Sequence, residues 1–135
     1  MFNRSGNPYP VAQRVDWNTM KQLGQILTDR GSKYAVSGMP VQSRADIDAA
    51  LKSLLRTKSY AKATHNTWGA VLSQSGALKA DDGESGAGMV ILRMLEREDL
   101  RDHLIVVTRW YGGKHLGGDR FRHVQTCVRM YLEAL

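Results

Sequence analysis

An α/β layer packing, with helices laid against one sheet, is the fold class this sequence predicts. Three observations predict it. Segments in which apolar residues alternate take turns with segments in which they recur every three or four positions. Leu104-Ile105-Val106-Val107-Thr108 is a continuous, mostly β-branched run, the mark of a strand buried on both faces. Two glycine-rich stretches, Asp81 to Gly88 and Gly112 to Gly118, each lead directly into a helical pattern.

The elements follow in order. Residues 1–27 are the least patterned, with Pro8, Pro10 and scattered polar residues; Met20, Leu23, Ile26 and Leu27 suggest one short helix over Trp17–Leu27, weakened by Gly24. Lys33 to Met39 reads as a strand, with Tyr34 and Val36 on one side and Pro40 near its end. Ser43 is placed to cap a helix running to about Thr57, whose Ile47, Ala50, Leu51, Leu54 and Leu55 form one stripe. His65 to Leu72 alternates as a half-buried strand, and Ser73 to Lys79 leaves room for another. A helix from about Ser85 to Arg97 turns Val90, Ile91, Met94 and Leu95 inward. After the run at 104–108, Asp119 is placed to cap a last helix carrying Phe121, Val124, Val128, Tyr131, Leu132 and Leu135.

At 135 residues the chain suits one domain able to bury a core without staples. With 42% hydrophobic and 24% charged residues, the composition excludes the disordered class. A single cysteine, Cys127, cannot form an internal disulfide and points to a reducing compartment; on its helix it reads as a small core residue. No run of about 18 apolar residues is present to span a membrane. The first ten residues lack the apolar stretch of a secretory signal. Arg4 and Arg14, with no acid before Asp16, give the charge bias of a mitochondrial presequence, but Pro8 and Pro10 spoil its amphipathic helix. A cytoplasmic location is expected. The net charge of +6 favours an anionic partner, RNA or a ribosomal surface ahead of a membrane.

Three groups could carry chemistry. Asp81, Asp82 and Glu84 precede a helix; they suit its positive end, and they supply too few spaced oxygens for a hard cation. In the loop 112–118, Lys114, His115, Arg109 and Arg120 could help a helix N-terminus hold an anion. The spacing matches neither a Walker loop nor a dinucleotide fingerprint, Asp119 would repel a phosphate, and the glycines equally well supply tight turns. The four histidines, His65, His103, His115 and His123, have no metal-ligand spacing. No nucleophile with its base is visible, so no reaction is named, and neither a metal nor a cofactor is expected.

Taken together these segments resemble a known family. Thr28-Asp29-Arg30-Gly31-Ser32-Lys33-Tyr34, Ala63-Thr64-His65-Asn66-Thr67-Trp68-Gly69, Asp82-Gly83-Glu84 with Ala87-Gly88, Val106 to Gly113, and Leu116-Gly117 with Asp119-Arg120-Phe121 and His123 occur in the order of the IMPACT family's conserved domain. The Arg-Trp-Tyr-Gly-Gly and Asp-Arg-Phe forms resemble its eukaryotic branch. The resemblance implies a two-layer α+β sandwich, a mixed sheet with helices on one face, similar to domain IV of elongation factor G and a related small-subunit ribosomal protein domain. It implies residues 28–135 as that domain and residues 1–27 as an extension, partly ordered or a short helix. Eukaryotic members carry an amino-terminal RWD domain, for which some 27 residues are too few. As a family they restrain, under stress, the kinase that senses uncharged tRNA, by competing for its ribosome-associated activator, and they have been linked to actin; they are not known as enzymes. For bacterial relatives, nucleic-acid binding has been suggested. The expectation is thus a regulatory binding domain in translation, with Asp82, Glu84, Arg109, Lys114, His115 and Arg120 as its surface or anion site. The alternative is an RNA- or ribosome-binding module using Arg56, Lys58 and Lys62, a second cluster at Arg109, Lys114, Arg120 and Arg122, and Trp68, Trp110 and Tyr111 as stacking surfaces. If Glu84 or Asp82 closes on Arg109 or Arg120 the motifs are structural; if they line a groove they are a site.

Overall fold

The structure, a computed structural model, describes residues 20–135. Its strands are β1 (Lys21–Asp29), β2 (Ser32–Pro40), β3 (His65–Leu72), β4 (Gly76–Ala80) and β5 (His103–Trp110); its helices are α1 (Arg44–Leu54), α2 (Lys58–Ala61), α3 (Ala87–Arg97) and α4 (Asp119–Glu133). The expected packing of helices on one sheet is present, with strand order β1-β2-β5-β3-β4. Two details differ from expectation. Every pairing is antiparallel rather than mixed. And helices cover both faces: α3 and α4 pack over Tyr34, Val36, Ile105 and Val107, while α1 packs over Ala35, Met39, Leu104 and Val106. The period-two alternation of β2 and β5 feeds both layers, which is why β5 is apolar without interruption.

Two crossovers build the sheet. The β2–α1–β3 and β4–α3–β5 connections each pass one antiparallel strand, run in opposite senses and lie on opposite faces, so one of them is left-handed, against the usual preference.

The expected helix over Trp17–Leu27 is corrected from residue 21 onward; its first residues lie outside the described ones. Lys21–Asp29 is an edge strand of the sheet, which therefore begins before the expected boundary at Thr28. Its register slips between Leu23, opposite Val36, and Leu27, opposite Tyr34, and Gln25 there has φ 33°. This bulge sets two extra residues on β1, so Leu27 keeps the face of Leu23 and Ile26 also reaches the α3–α4 core. A helix-like apolar spacing results without a helix. Arg30 (φ 48°) and Gly31 (φ 85°) then close a two-residue hairpin with both central residues left-handed, which fits the right-handed twist of the strands.

The Ser43 cap is present: its hydroxyl accepts the N–H of Asp46 at 3.1 Å, a contact worth about 1 kcal/mol. α1 stops at Leu54 rather than Thr57, and a short separate α2 follows. Asp119 does not cap α4; Gly118 holds that position, and the Asp119 carboxylate is spent on Arg30 and on Arg122 at 2.9 Å.

Candidate functional site

The family-like motifs converge at one end of the sheet, because antiparallel pairing sets the last turn of β5 beside the start of β2 and of β3. Arg109 lies opposite both Tyr34 and His65. From there its guanidinium reaches the loop before α3 and grips Glu84, with Nη1 donating to Oε1 at 2.9 Å and to Oε2 at 3.1 Å. Both residues are buried, Arg109 at 5% and Glu84 at 4% exposure. The Tyr34 and Tyr111 rings lie 5.8 and 5.7 Å from the guanidinium carbon. Nη2 donates to Ser32 Oγ at 3.4 Å, and the same hydroxyl accepts the N–H of Gly112 at 3.1 Å. Here two loops touch backbone to backbone: a Cβ on Gly112 would collide with Gly31, so only glycine fits.

The opposite side of Glu84 is closed by His65, whose Nε2 lies 3.7 Å from Oε2. His65 Nδ1 sits 2.8 Å from the carbonyl of Asp82, so that nitrogen carries the proton and donates. Asn66 extends the network, its side-chain oxygen accepting from Thr108 Oγ1 at 2.7 Å and its amide donating to Tyr60 O at 3.2 Å.

A second clasp joins the β1–β2 hairpin to α4. Asp29 accepts from His123 Nε2 at 2.7 Å and from Arg30 at 3.1 Å, and Arg30 also reaches Asp119. The bonds from Arg30 and then His123 hold the Asp29 carboxyl at about 2, well below its ordinary value. The His123 ring lies tilted against that of Tyr34, centroids 5.3 Å apart, and burial pushes the Tyr34 phenol up to about 12.

Of the six residues expected as a surface site, the structure moves two inside. Glu84 and Arg109 are a buried pair spent on each other, since a buried charge persists only when matched. Asp82 is exposed but its carboxylate accepts the N–H of Asn66 at 2.6 Å. Asp81, not Asp82, serves α3: its oxygens accept from Gly86 at 3.0 Å and Gly88 at 2.8 Å, and these bonds, Gly86's first, lower its pKa. Lys114 and His115 are exposed on the loop, with the His115 ring 5.9 Å from Tyr111. Arg120 lies over the Phe121 ring at 4.7 Å and is half-buried. The six therefore do not form one open groove. Sequence reasoning passed over Asp29, Ser32, Tyr34, Asn66, His65 and His123 as partners, although all six stand inside the motifs that carried the resemblance. Among the described residues no group of three or more His, Cys, Asp or Glu is placed to hold a metal, and no helix is long and apolar enough to cross a membrane.

Of the stacking candidates, Trp68 is core at 5% exposure, whereas Tyr111 is 44% exposed. Trp110 donates its indole N–H to Ser59 O at 2.8 Å and meets the Tyr60 ring edge-on at 5.4 Å. With Tyr60, Tyr111 and Lys33 it lines a cavity of about 500 Å³. The second basic cluster is partly dismantled: Arg109 is buried on Glu84 and Arg122 is paired with Asp119, leaving Lys114 and Arg120 with no ion-pair partner among the described residues.

Residues 30–132 match the family described as the Impact N-terminal domain. A Caenorhabditis elegans relative described as "Protein IMPACT homolog" is 34% identical over 130 residues, covering 91% of this chain and 50% of its own length. "IMPACT family member YDL177C" of Saccharomyces cerevisiae is 32% identical, covering 83% of this chain and 87% of its own length. The chain thus spans about half the worm relative and most of the yeast one. A solved structure described as that of a hypothetical protein shares the fold, with a TM-score of 0.72 over 85% of this chain and 61% of that one at 20% identity. The motifs meeting around Arg109 fall within the matched span, and on that match the chain belongs to the IMPACT family.

Proposed function

We propose that this chain is a non-enzymatic binding domain acting in translation control in the cytoplasm. The observation that carries the reading is the family match over residues 30–132. The state of the motif residues supports it. Glu84 and Arg109 are spent on each other in the interior, out of a substrate's reach. They brace loops; the loops' outer surfaces are left to meet a partner. The resemblance extends the reading to restraint of the kinase that senses uncharged tRNA, through a protein partner bound to the ribosome. A tagged chain used to capture partners from lysate should enrich translation components over a tagged control; enrichment of none contradicts the reading. In amino-acid-starved cells, overexpression should lower phosphorylation of the kinase's initiation-factor substrate, and unchanged phosphorylation would remove the kinase step.

A second reading, direct contact with RNA or ribosomal surface, is favoured by one specific observation. Lys33, Arg56, Lys58, Lys62 and Lys114 have no ion-pair partner among the described residues, and Tyr111 offers an exposed ring on the cavity that Lys33 also lines. Lys114 and His115 are exposed and Arg120 is half-buried in what remains of the expected anion surface. Titration with single-stranded RNA at increasing salt tests it: affinity should fall steeply with salt, and a salt-independent or absent signal removes it.

A further inference from the structure

The corner between α1 and α2 leans over the β3–β4 hairpin and leaves an open groove of about 410 Å³. Its wall is mostly apolar, with Leu51, Leu55, Trp68 and Ala80 beside the polar Asn66 and Asp82. Leu55 is 45% exposed there, although it continues the apolar stripe of α1. Leu55 is the C-cap of α1 and still donates its N–H to Leu51 O, so it stands one turn beyond the half-buried Leu51, at the rim of the stripe rather than over the core.

Three cations ride on the same corner. Arg56, Lys58 and Lys62 are exposed, and Lys62 stands between the two wall residues Ala61 and Ala63. None has an ion-pair partner among the described residues. One carboxylate stands on the wall, Asp82, which accepts the N–H of Asn66 and is outnumbered by the three cations of the corner. An apolar floor beside a corner of net positive charge is the inverse of an acidic amphipathic segment.

We propose that this groove docks an acidic segment of a partner protein, with apolar side chains seated against Leu51, Leu55 and Trp68 and carboxylates facing Arg56, Lys58 and Lys62. The proposal rests on the reading of the chain as a binding domain and gives that reading a place and a partner chemistry. Charge selects the occupant. A second copy of this chain would bring its own net charge of +6 to a positive rim. A nucleic acid would satisfy the cations and leave the leucine wall unfilled.

The test uses the full chain and a labelled peptide of about a dozen residues carrying glutamates and two leucines at helical spacing. A charge-reversed peptide with lysines for the glutamates, and an oligouridine of similar length, serve as the other arms. The acidic peptide should bind saturably, with amide shifts concentrated in residues 51–63 and at Ala80 and Asp82. Leu55→Glu, and Lys58→Glu combined with Lys62→Glu, should each weaken it about tenfold or more with an unchanged melting temperature. Equal binding of the charge-reversed peptide, shifts elsewhere, no saturation, or oligouridine bound at this face in preference overturns the proposal. If Leu55→Glu still captures translation components as the unmodified chain does, the groove fails and the proposed function stands; if the unmodified chain captures none, that function fails by itself.

Discussion

At the scale of single residues, the consequential finding is that Arg109 and Glu84 neutralise each other inside the protein. Removing one partner leaves an unmatched buried charge, so Arg109→Met or Glu84→Leu alone should cost about 3–5 kcal/mol in urea unfolding, and the double substitution should recover most of that loss. Equal losses for the singles and the double would contradict the account. Gly112 makes a second sharp case: Gly112→Ala forces a methyl into the Gly31 backbone and should destabilise by about 1–3 kcal/mol by the same measurement. Asp29 supplies a pH signature. Its folded carboxyl titrates at about 2 against an ordinary 3.8, so the folded state takes up the proton less readily. The clasp's contribution is therefore complete above the ordinary value and is lost as pH falls through about 2. Acid titrations of the melting temperature should show a shallower decline for Asp29→Asn than for the unmodified chain.

At the scale of elements, α4 is held to the sheet by matched shapes. A Cβ on Gly38 of β2 would strike the Tyr131 ring, and the Tyr131 hydroxyl lies 2.7 Å from Nε2 of the buried His103 on β5. Burial lowers the His103 pKa, so the neutral ring is the folded form. Stability should be full above about 6.5, the ordinary value, and should fall as pH drops below it because the unfolded chain takes the proton first. Melting temperatures between pH 7 and pH 5 should decline less for His103→Gln; parallel curves would contradict this. Most elements were legible because each has one dominant period: the stripe of α1, the Ser43 cap and the double-faced run of β5. β1 was not, because its bulge gives Leu23, Ile26 and Leu27 the three- and four-residue spacing of a helix. Asp119 was misread for a related reason. Local sequence makes it a good cap, but Arg30, 89 residues away, takes its carboxylate.

At the scale of the whole molecule, pattern and family motifs supplied the sandwich, while the pairing of charges came only with the fold. No local rule says that Arg109 turns inward to Glu84 while Lys114, five residues on, stays in solvent. The result is a domain whose motif residues brace one end of the sheet, while Arg56, Lys58 and Lys62, three cations with no ion-pair partner among the described residues, stand on the α1–α2 corner. That arrangement suits the proposed binding role. Sedimentation of lysate containing the tagged chain through a sucrose gradient tests this most directly. The account predicts that the chain travels with ribosomal fractions or with a translation-factor complex, and recovery only as free protein at the top of the gradient would contradict it.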